Sequence, residues 1–504
     1  MDLSRWQCCV RPIIRRDQTI SMARLLRLIA IYATFCMTWV AFAHLIAPTI
    51  IAAAYDGRIP SILNLGFQRS FPVEHYLDGW SVRAGAIPVA AILHLIIVLF
   101  IRAIDRKHGT LLLDTARVES RTNAILVVFS ATFLAMSSLV GVRGDYLACV
   151  LQWKHVLAGG DPWVFAENYP FPPNAYGPLF NLLAPLLWIS LLANKLLFAF
   201  AYLVFVIWLI KDFGRGRGLV ALSWPVVVFW LINPFPWVEL VYFGHLDVLV
   251  AVACVAAVYG QMRGKDVFSG TCLAAGILLK FMPSVILPFL VIDGRRFRFC
   301  LFFCCAVLVV SGFFISVVVW GRSTFSPLIF AATRPPAGSI YELLSSLFHR
   351  DSQYVWGLEN SLWLTAWLAV FAWSTVRQIG PALSAVLAVL VTLLFYRLGY
   401  LNYQMALYFL VSYWAVSEWD GLKKHTVLAA SLVGYFGLLG MVDIGIWLGL
   451  ERYDQYSMIV VSLKFVAGCV LLASLIKFST RTALGSSSLS ISADKAHLGA
   501  KANV

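Results

Sequence analysis

Charged residues are scarce in this 504-residue sequence: 13% are Asp, Glu, Lys or Arg, whereas 61% are hydrophobic. Average soluble domains carry about a quarter of their residues as charges. So little polar surface cannot cover a water-soluble protein of this length, but in a bilayer the apolar surface faces lipid. The 18 Trp and 19 Tyr residues agree, because their amphipathic rings collect at membrane interfaces. The composition predicts an all-α integral membrane protein.

A disulfide framework and glycosylation sites are also lacking. Of the ten cysteines only Cys149 lies near the predicted outer face, so no external pair is available. The sequence contains no Asn-X-Ser/Thr sequon, which favours a bacterial inner membrane over a glycosylating compartment. The first apolar run, 25–54, is long enough to span the membrane and is not a cleavable signal.

A continuous basic face is missing as well, although the formal net charge is +14. The basic residues form short clusters between apolar runs, as in cytoplasmic loops under the positive-inside rule. This spacing excludes a nucleic-acid partner. Alternating the sides places both termini and every basic cluster in the cytoplasm.

The apolar runs predict about 12 transmembrane helices at ~20 residues per span. They lie near 25–54, 84–101, 122–141, 193–210, 219–233, 246–260, 299–320, 360–376, 381–396, 404–417, 426–447 and 457–476. Segment 268–293 interrupts the alternation, because both of its flanks are basic. We expect it to enter and return as a re-entrant pair of short helices, broken between Lys280 and Pro283.

This topology divides the chain into four parts. We expect an N-terminal basic segment with an extra transmembrane hairpin, a catalytic core, two C-terminal helices and a disordered cytoplasmic tail. Their bounds are 1–121, 122–420, 421–477 and 478–504. The core carries large external loops at 142–192 and 321–359, and 397–403 adds a short one. No internal repeat typical of transporters is evident.

Motifs in the predicted core carry a resemblance. They are Gly144-Asp145-Tyr146, Leu157-Ala-Gly-Gly-Asp-Pro-Trp163, Asn174-Ala-Tyr-Gly-Pro-Leu179, Ile232-Asn-Pro-Phe235, Val241-Tyr-Phe-Gly-His-Leu-Asp247 and Ser269-Gly-Thr-Cys-Leu-Ala-Ala-Gly-Ile-Leu-Leu-Lys-Phe-Met-Pro283. In this order and spacing the chain resembles polytopic glycosyltransferases of the GT-C superfamily, and most closely glycosyltransferase family 87, the polyprenyl-phosphate-mannose-dependent mannosyltransferases. The resemblance covers roughly 122–420.

The resemblance implies a membrane enzyme that takes one sugar from a polyprenyl-phosphate carrier on the outer face. The sugar passes with inversion to a hydroxyl of a glycolipid or polysaccharide acceptor, and no cofactor is implied. In the family an acidic residue of an early external loop is the general base, and Asp145 occupies that position here. Mannose is the expected sugar by resemblance only.

Other residues are candidates for substrate binding, because ionisable groups at membrane depth are costly and usually functional and aromatic rings suit a sugar platform. They are Lys280, His245, Arg397, Asp161, Asp247, Glu239, Tyr176 and Tyr403. Each has a plainer interpretation: Asp161 sits in a Gly-Gly-Asp-Pro turn sequence, Lys280 could pair with an acid such as Asp247, and Arg397 could simply snorkel to the interface. His245 and Asp247 alone do not make a metal site.

Two other functions fit a chain with charges inside the membrane. A transporter or flippase of lipid-linked sugars would also need cavity charges and broken helices. An O-antigen ligase or polymerase type of enzyme would use a diphosphate-linked donor, with external Arg and His residues. The missing repeat and the large external loops on one side favour the glycosyltransferase.

Overall fold

A computed structural model gives the described part of the chain as helices with one small β-hairpin. The structure describes residues 22–45, 80–108, 113–142, 145–164, 176–215, 223–293, 296–333, 336–348, 352–447 and 458–501. Most of the predicted external stretch 55–83, together with Arg334 and Arg350 of the predicted loop 321–359, lies outside these residues.

The helices follow the apolar runs in chain order. The first eight are α1 (Met22–Leu45), α2 (Trp80–His108), α3 (Leu113–Val140), α4 (Asp145–Leu157), α5 (Ala193–Trp208), α6 (Asp247–Met262), α7 (Asp266–Leu279) and α8 (Phe299–Trp320). The others are α9 (Ser326–Thr333), α10 (Ile340–Phe348), α11 (Ser352–Val376), α12 (Pro381–Phe395), α13 (Gln404–Ser417), α14 (Thr426–Trp447) and α15 (Met458–Lys501). Strands β1 (Ile292–Asp293) and β2 (Arg296–Phe297) pair antiparallel.

Several of these helices can cross a bilayer, so the chain is a multi-pass membrane protein. Among the described residues seven helical segments are long and apolar enough, or eight if one bent pair counts as a span. Two other predicted crossings, 381–396 and 404–417, fall on α12 and α13, which are shorter than the ~20 residues that a perpendicular span needs. The predicted crossing 360–376 falls on α11, which has 25 residues but is not among the seven. The count of twelve therefore stays a prediction.

The interrupted segment breaks at the residue that its sequence indicates. α7 ends at Leu279, and Lys280 has extended backbone angles (φ −159°, ψ 137°). Two short helices follow, the 3-10 helix Met282–Ile286 and the α-helical turn Leu287–Val291. Proline at 283 cannot donate a backbone hydrogen bond, which ends α7 and leaves Lys280 at the break.

Two short helices form the centre of the bundle. Thirteen of the 15 residues of α12 and 13 of the 14 residues of α13 are buried. In α8 only Leu301, Cys305 and Ser316 are buried. A helix that is apolar on all sides and yet exposed to its surroundings is in contact with lipid, so α8 lies at the periphery.

The last helix is longer than its apolar run. α15 continues to Lys501 and covers the Ser-rich stretch after Lys477, for which composition predicts disorder. The structure differs here because a helix that has begun extends at one hydrogen bond per added residue. The division of the chain into four parts stays a prediction.

Gly270 lets α7 and α8 approach closely. A Cβ atom added at Gly270 would lie 2.6 Å from the backbone oxygen of Leu301. We predict that Gly270→Ala separates the two helices and lowers the free energy of unfolding by about 1–3 kcal/mol. Thermal unfolding in one detergent measures this as a lower Tm.

Gly434→Ala is the matched control, because nothing lies within 4 Å of a Cβ atom at Gly434 in α14. Ala is also the better helix former, so its Tm should be equal to or above that of the wild type. Equal melting temperatures for the two variants would contradict the close packing of α7 on α8.

Candidate active site

A sharp bend in the chain positions His245. The chain bends by 118° between the helical segments Val227–Tyr242 and Asp247–Met262. Gly244 at the bend has φ +65°, a backbone conformation that residues other than glycine rarely adopt. A Cβ atom there would also lie 3.0 Å from Cγ of Lys195. The bend turns His245 back toward the preceding segment, where its backbone N–H donates to the backbone oxygen of Glu239 at 3.0 Å.

His245 lies between two carboxylates. Its Nδ1 is 2.5 Å from Oε2 of Glu239, and its Nε2 is 3.0 Å from Oδ2 of Asp145. The Glu239 side chain is 1% exposed and that of His245 is 7% exposed, whereas the Asp145 side chain is 70% exposed. With an acceptor at each ring nitrogen, the doubly protonated imidazolium donates to both carboxylates. The network thus runs from a buried acid to an accessible one.

Lys280 forms a second buried ion pair. Its Nζ is 2.5 Å from Oδ1 of Asp247, and both side chains are almost completely buried. The ammonium group also lies 3.8 Å from the ring centroid of Tyr403 and 5.3 Å from that of Tyr176. The pairing with an acid that the sequence left open is therefore present. The other Asp247 oxygen, Oδ2, has no hydrogen-bond partner among the described residues.

The two charged groups belong to one site. Cys149, one turn after Asp145 on α4, interacts electrostatically with Asp145, Asp247 and Lys280. Burial raises the pKa of the Cys149 thiol, which therefore stays protonated and is not a nucleophile. Burial and the nearby carboxylates likewise raise the pKa of Tyr176, whose phenol keeps its proton. Both side chains thus line the site as neutral groups.

Sequence reasoning missed Asp443. This residue of α14 is completely buried and interacts electrostatically with Glu239 and His245. Neither Asp443 oxygen has a hydrogen-bond donor among the described residues. The carboxyl groups of Asp443 and Glu239 can therefore hydrogen-bond to each other only when one of them carries a proton. A single Asp within an apolar helix was the available signal, since such residues are rare and functional.

Lys195 was missed as well, and it holds the site together. Its buried Nζ donates to the backbone oxygens of Gly141 at 2.7 Å and Tyr242 at 3.1 Å. Tyr146, next to Asp145, accepts from the Lys195 backbone N–H and donates to the Leu191 oxygen. α5 therefore joins the start of α4 to the bend, which fixes Asp145 relative to His245.

Seven of the nine predicted site residues meet here, and two have other partners. Asp161 accepts the Trp163 backbone N–H at 2.9 Å, as its turn sequence indicated, and accepts the Ser323 hydroxyl at 2.5 Å. Arg397 interacts electrostatically with buried Glu359 of α11, and its backbone oxygen accepts from Ala337. Within the described chain no group of three or more His, Cys, Asp or Glu could hold a metal ion.

Comparison with protein families shows which family this chain belongs to. The sequence model of glycosyltransferase family 87, a family of the GT-C type, matches residues 174–440, just over half of the chain. The chain belongs to glycosyltransferase family 87. The protein is therefore a membrane glycosyltransferase, with a sugar donor and a glycan or lipid acceptor as its substrates. A comparison with curated proteins found no match.

The family match covers most of the site but leaves out both ends of the network. It includes Tyr176, Glu239, His245, Asp247, Lys280 and Tyr403, and Arg397 as well. Asp145 precedes the matched stretch, and Asp443 follows it. Asp145 therefore belongs to the candidate site through its 3.0 Å contact with His245 and not through the family match.

Gly177 positions Tyr176 beside Lys280. Its backbone N–H donates to the Leu279 oxygen at 2.9 Å, and an added Cβ atom would lie 2.3 Å from the Leu278 oxygen. We predict that Gly177→Ala moves the Tyr176 ring away from Lys280 and slows sugar transfer by about tenfold or more, because small displacements of site groups are costly. Initial rates in nanodiscs measure this.

Gly437→Ala is the control for that substitution, since a Cβ atom at Gly437 meets nothing within 4 Å. It should transfer sugar at the wild-type rate. A Gly177→Ala enzyme as fast as the control would show that the contact with Leu278 does not position the site.

Proposed function

We propose that this glycosyltransferase moves a single sugar, mannose by resemblance, from a polyprenyl-phosphate donor to a hydroxyl of a glycolipid or polysaccharide. The observation that carries the proposal is the network of Asp145, His245 and Glu239, in which only Asp145 is exposed. Transfer proceeds with inversion on the outer, periplasmic face of a bacterial inner membrane. Both chain termini then lie in the cytoplasm, in a GT-C fold of about 12 crossings.

Asp145 is the proposed general base. Its exposed carboxylate accepts the proton of the acceptor hydroxyl as that oxygen attacks the anomeric carbon. The bond from this carbon to the phosphate oxygen breaks on the opposite side of the sugar, and its electron pair goes to the phosphate. His245 contacts one Asp145 oxygen through Nε2 and so holds the exposed carboxylate in place.

Cations are needed where negative charge grows on the departing phosphate. His245 and Lys280 are the cations at the site, and in this proposal they attract the carrier phosphate. Asp247 holds Lys280 in place, and its own remaining oxygen is available to the sugar hydroxyls. Arg397 is a second proposed phosphate ligand from the outer loop.

Aromatic rings suit the sugar itself. Tyr176 and Tyr403 flank Lys280, and rings of this kind pack against the apolar face of a pyranose. Asp161 is proposed to bind the acceptor, next to the turn that carries Ser323. No metal enters this mechanism, and transfer is expected to continue in the presence of EDTA.

Replacement of the proposed base tests the mechanism. We predict that Asp145→Asn, which keeps the shape but cannot accept the proton, lowers the transfer rate by at least about 100-fold. Purified protein in nanodiscs is given a short-chain polyprenyl-phosphate mannose and the host's membrane glycolipids, and mass spectrometry follows the product. Asp161→Asn serves as the comparison, with a smaller effect expected on KM for the acceptor.

The outcomes separate the candidate functions. Transfer that survives in Asp145→Asn would move the base to another residue, with Asp161 next. Transfer from a diphosphate-linked donor alone would favour the ligase or polymerase type of enzyme. A lipid-linked sugar that crosses the bilayer of liposomes without transfer would replace the enzyme with a flippase.

The buried end of the network allows a second prediction. Glu239→Gln removes the negative charge beside Nδ1 of His245, so we expect the imidazole to lose a proton more easily and transfer to fall by about 10- to 100-fold. The pH dependence of kcat should also shift to lower pH. Asp443→Asn retains a hydrogen-bond donor toward Glu239 and should keep most of the activity. A pH profile that is unchanged in Glu239→Gln would contradict the role of Glu239.

A further inference from the structure

A cavity lies at the end of the bundle opposite the active site. Its volume is about 460 Å³, and its wall includes Gln261, Arg296, Ser374 and Gln378. Gln261 lies near the C-terminal end of α6, whose first residue is Asp247. At 1.5 Å per residue the two positions are ~21 Å apart along the helix, so this cavity is separate from the glycosyltransferase site.

Buried polar groups without partners face this cavity. Gln261 is 2% exposed, and neither its side-chain oxygen nor its nitrogen has a hydrogen-bond partner among the described residues. Ser374 near the end of α11 is 4% exposed, and its hydroxyl also has no hydrogen-bond partner among the described residues. Folded proteins rarely leave such groups unsatisfied, so a polar occupant is expected.

The turn between α11 and α12 caps α11 at the same place, where the Ile379 backbone N–H donates to the Ser374 backbone oxygen at 2.9 Å. Gln378 has φ +52° and is the one non-glycine residue with a positive φ among the described residues. It lines this cavity and also a neighbouring one of about 420 Å³, which Arg377 borders. A residue with positive φ just after a helix is a common C-terminal cap, so this turn ends α11 and fixes Ser374 and Gln378 in the wall of the cavity.

The edge of the cavity is both basic and lipid-facing. Arg296 on β2 is exposed, and the next residues toward α8 present large apolar side chains, with Phe297 43% and Phe299 72% exposed. Apolar side chains so exposed on a membrane protein lie against acyl chains. An occupant must therefore combine an anionic, hydrogen-bonding end with an apolar tail.

We propose that this cavity binds the headgroup of an anionic glycerophospholipid with a hydroxylated headgroup, such as phosphatidylglycerol, from the leaflet on this side of the bundle. Arg296 binds the phosphate, as basic pockets between transmembrane helices do. The Gln261 oxygen accepts a headgroup hydroxyl, and the Gln261 nitrogen and the Ser374 hydroxyl donate to headgroup oxygens. The site is independent of the proposed sugar chemistry, because it lies at the other end of α6.

Native mass spectrometry of the full-length protein, delipidated and titrated with phosphatidylglycerol, tests the proposal. We expect one retained lipid in the wild type and an apparent Kd raised by about tenfold in Arg296→Gln, the loss expected for one hydrogen bond to a charged group. Gln261→Leu and Ser374→Ala should each weaken retention. Both variants remove unsatisfied polar atoms and should melt no lower than the wild type.

The controls identify the source of the binding. Arg263→Gln removes the same charge near the same end of α6 without touching the cavity, so it should bind as the wild type does. Phosphatidylcholine, whose headgroup has no hydroxyl and no net charge, should be retained weakly. Glycerol phosphate should compete poorly because it has no tail.

Three results would overturn the proposal. Equal retention of phosphatidylglycerol by wild type, Arg296→Gln and Gln261→Leu would place the lipid elsewhere. Tight binding of glycerol phosphate or inorganic phosphate would make the ligand a free anion. Retention of no lipid by the wild type would leave the cavity to water.

Discussion

The pairing of a buried imidazole with a buried carboxylate is the constraint on which the site depends. Glu239 is almost completely buried, and a carboxylate at that depth is stable only with a cation or donor against it. His245 is six residues away and reaches Glu239 only because the chain bends at Gly244. The bend in turn needs Lys195, whose ammonium group satisfies the carbonyl oxygens that the broken helices leave without partners. The Glu239–His245 pair, the bend at Gly244 and the Lys195 hydrogen bonds therefore depend on one another.

The same logic applies at the second break. Lys280 is non-helical and buried, and irregular backbone inside a membrane protein is tolerated only if it is buried in protein or lines a cavity. The structure fills that place with Asp247 from the start of α6 and with the rings of Tyr176 and Tyr403. Two breaks, each with its own ion pair, thus face the helix that begins at Asp145.

Much of this could be read from the sequence, because apolar runs and basic flanks are local signals. The break at Lys280 followed from basic residues on both sides of one segment, and the site residues followed from charges in apolar surroundings. Pairings between distant segments could not be read in this way. The sequence offered Asp247 as one possible partner of Lys280 without deciding it, and no local pattern joins Asp443 to Glu239 or Asp161 to Ser323. Asp443 was visible as a lone acid, but its partner depends on how α14 packs.

The network from Asp443 through Glu239 and His245 to Asp145 is exposed at one end only, as far as the described residues extend. In the proposed mechanism a proton accepted at Asp145 returns to the side of the membrane on which the acceptor binds, because the other described members of the network are buried. In that mechanism sugar transfer does not draw on the transmembrane electrochemical gradient. The free energy for glycosidic bond formation has to come from the activated donor alone.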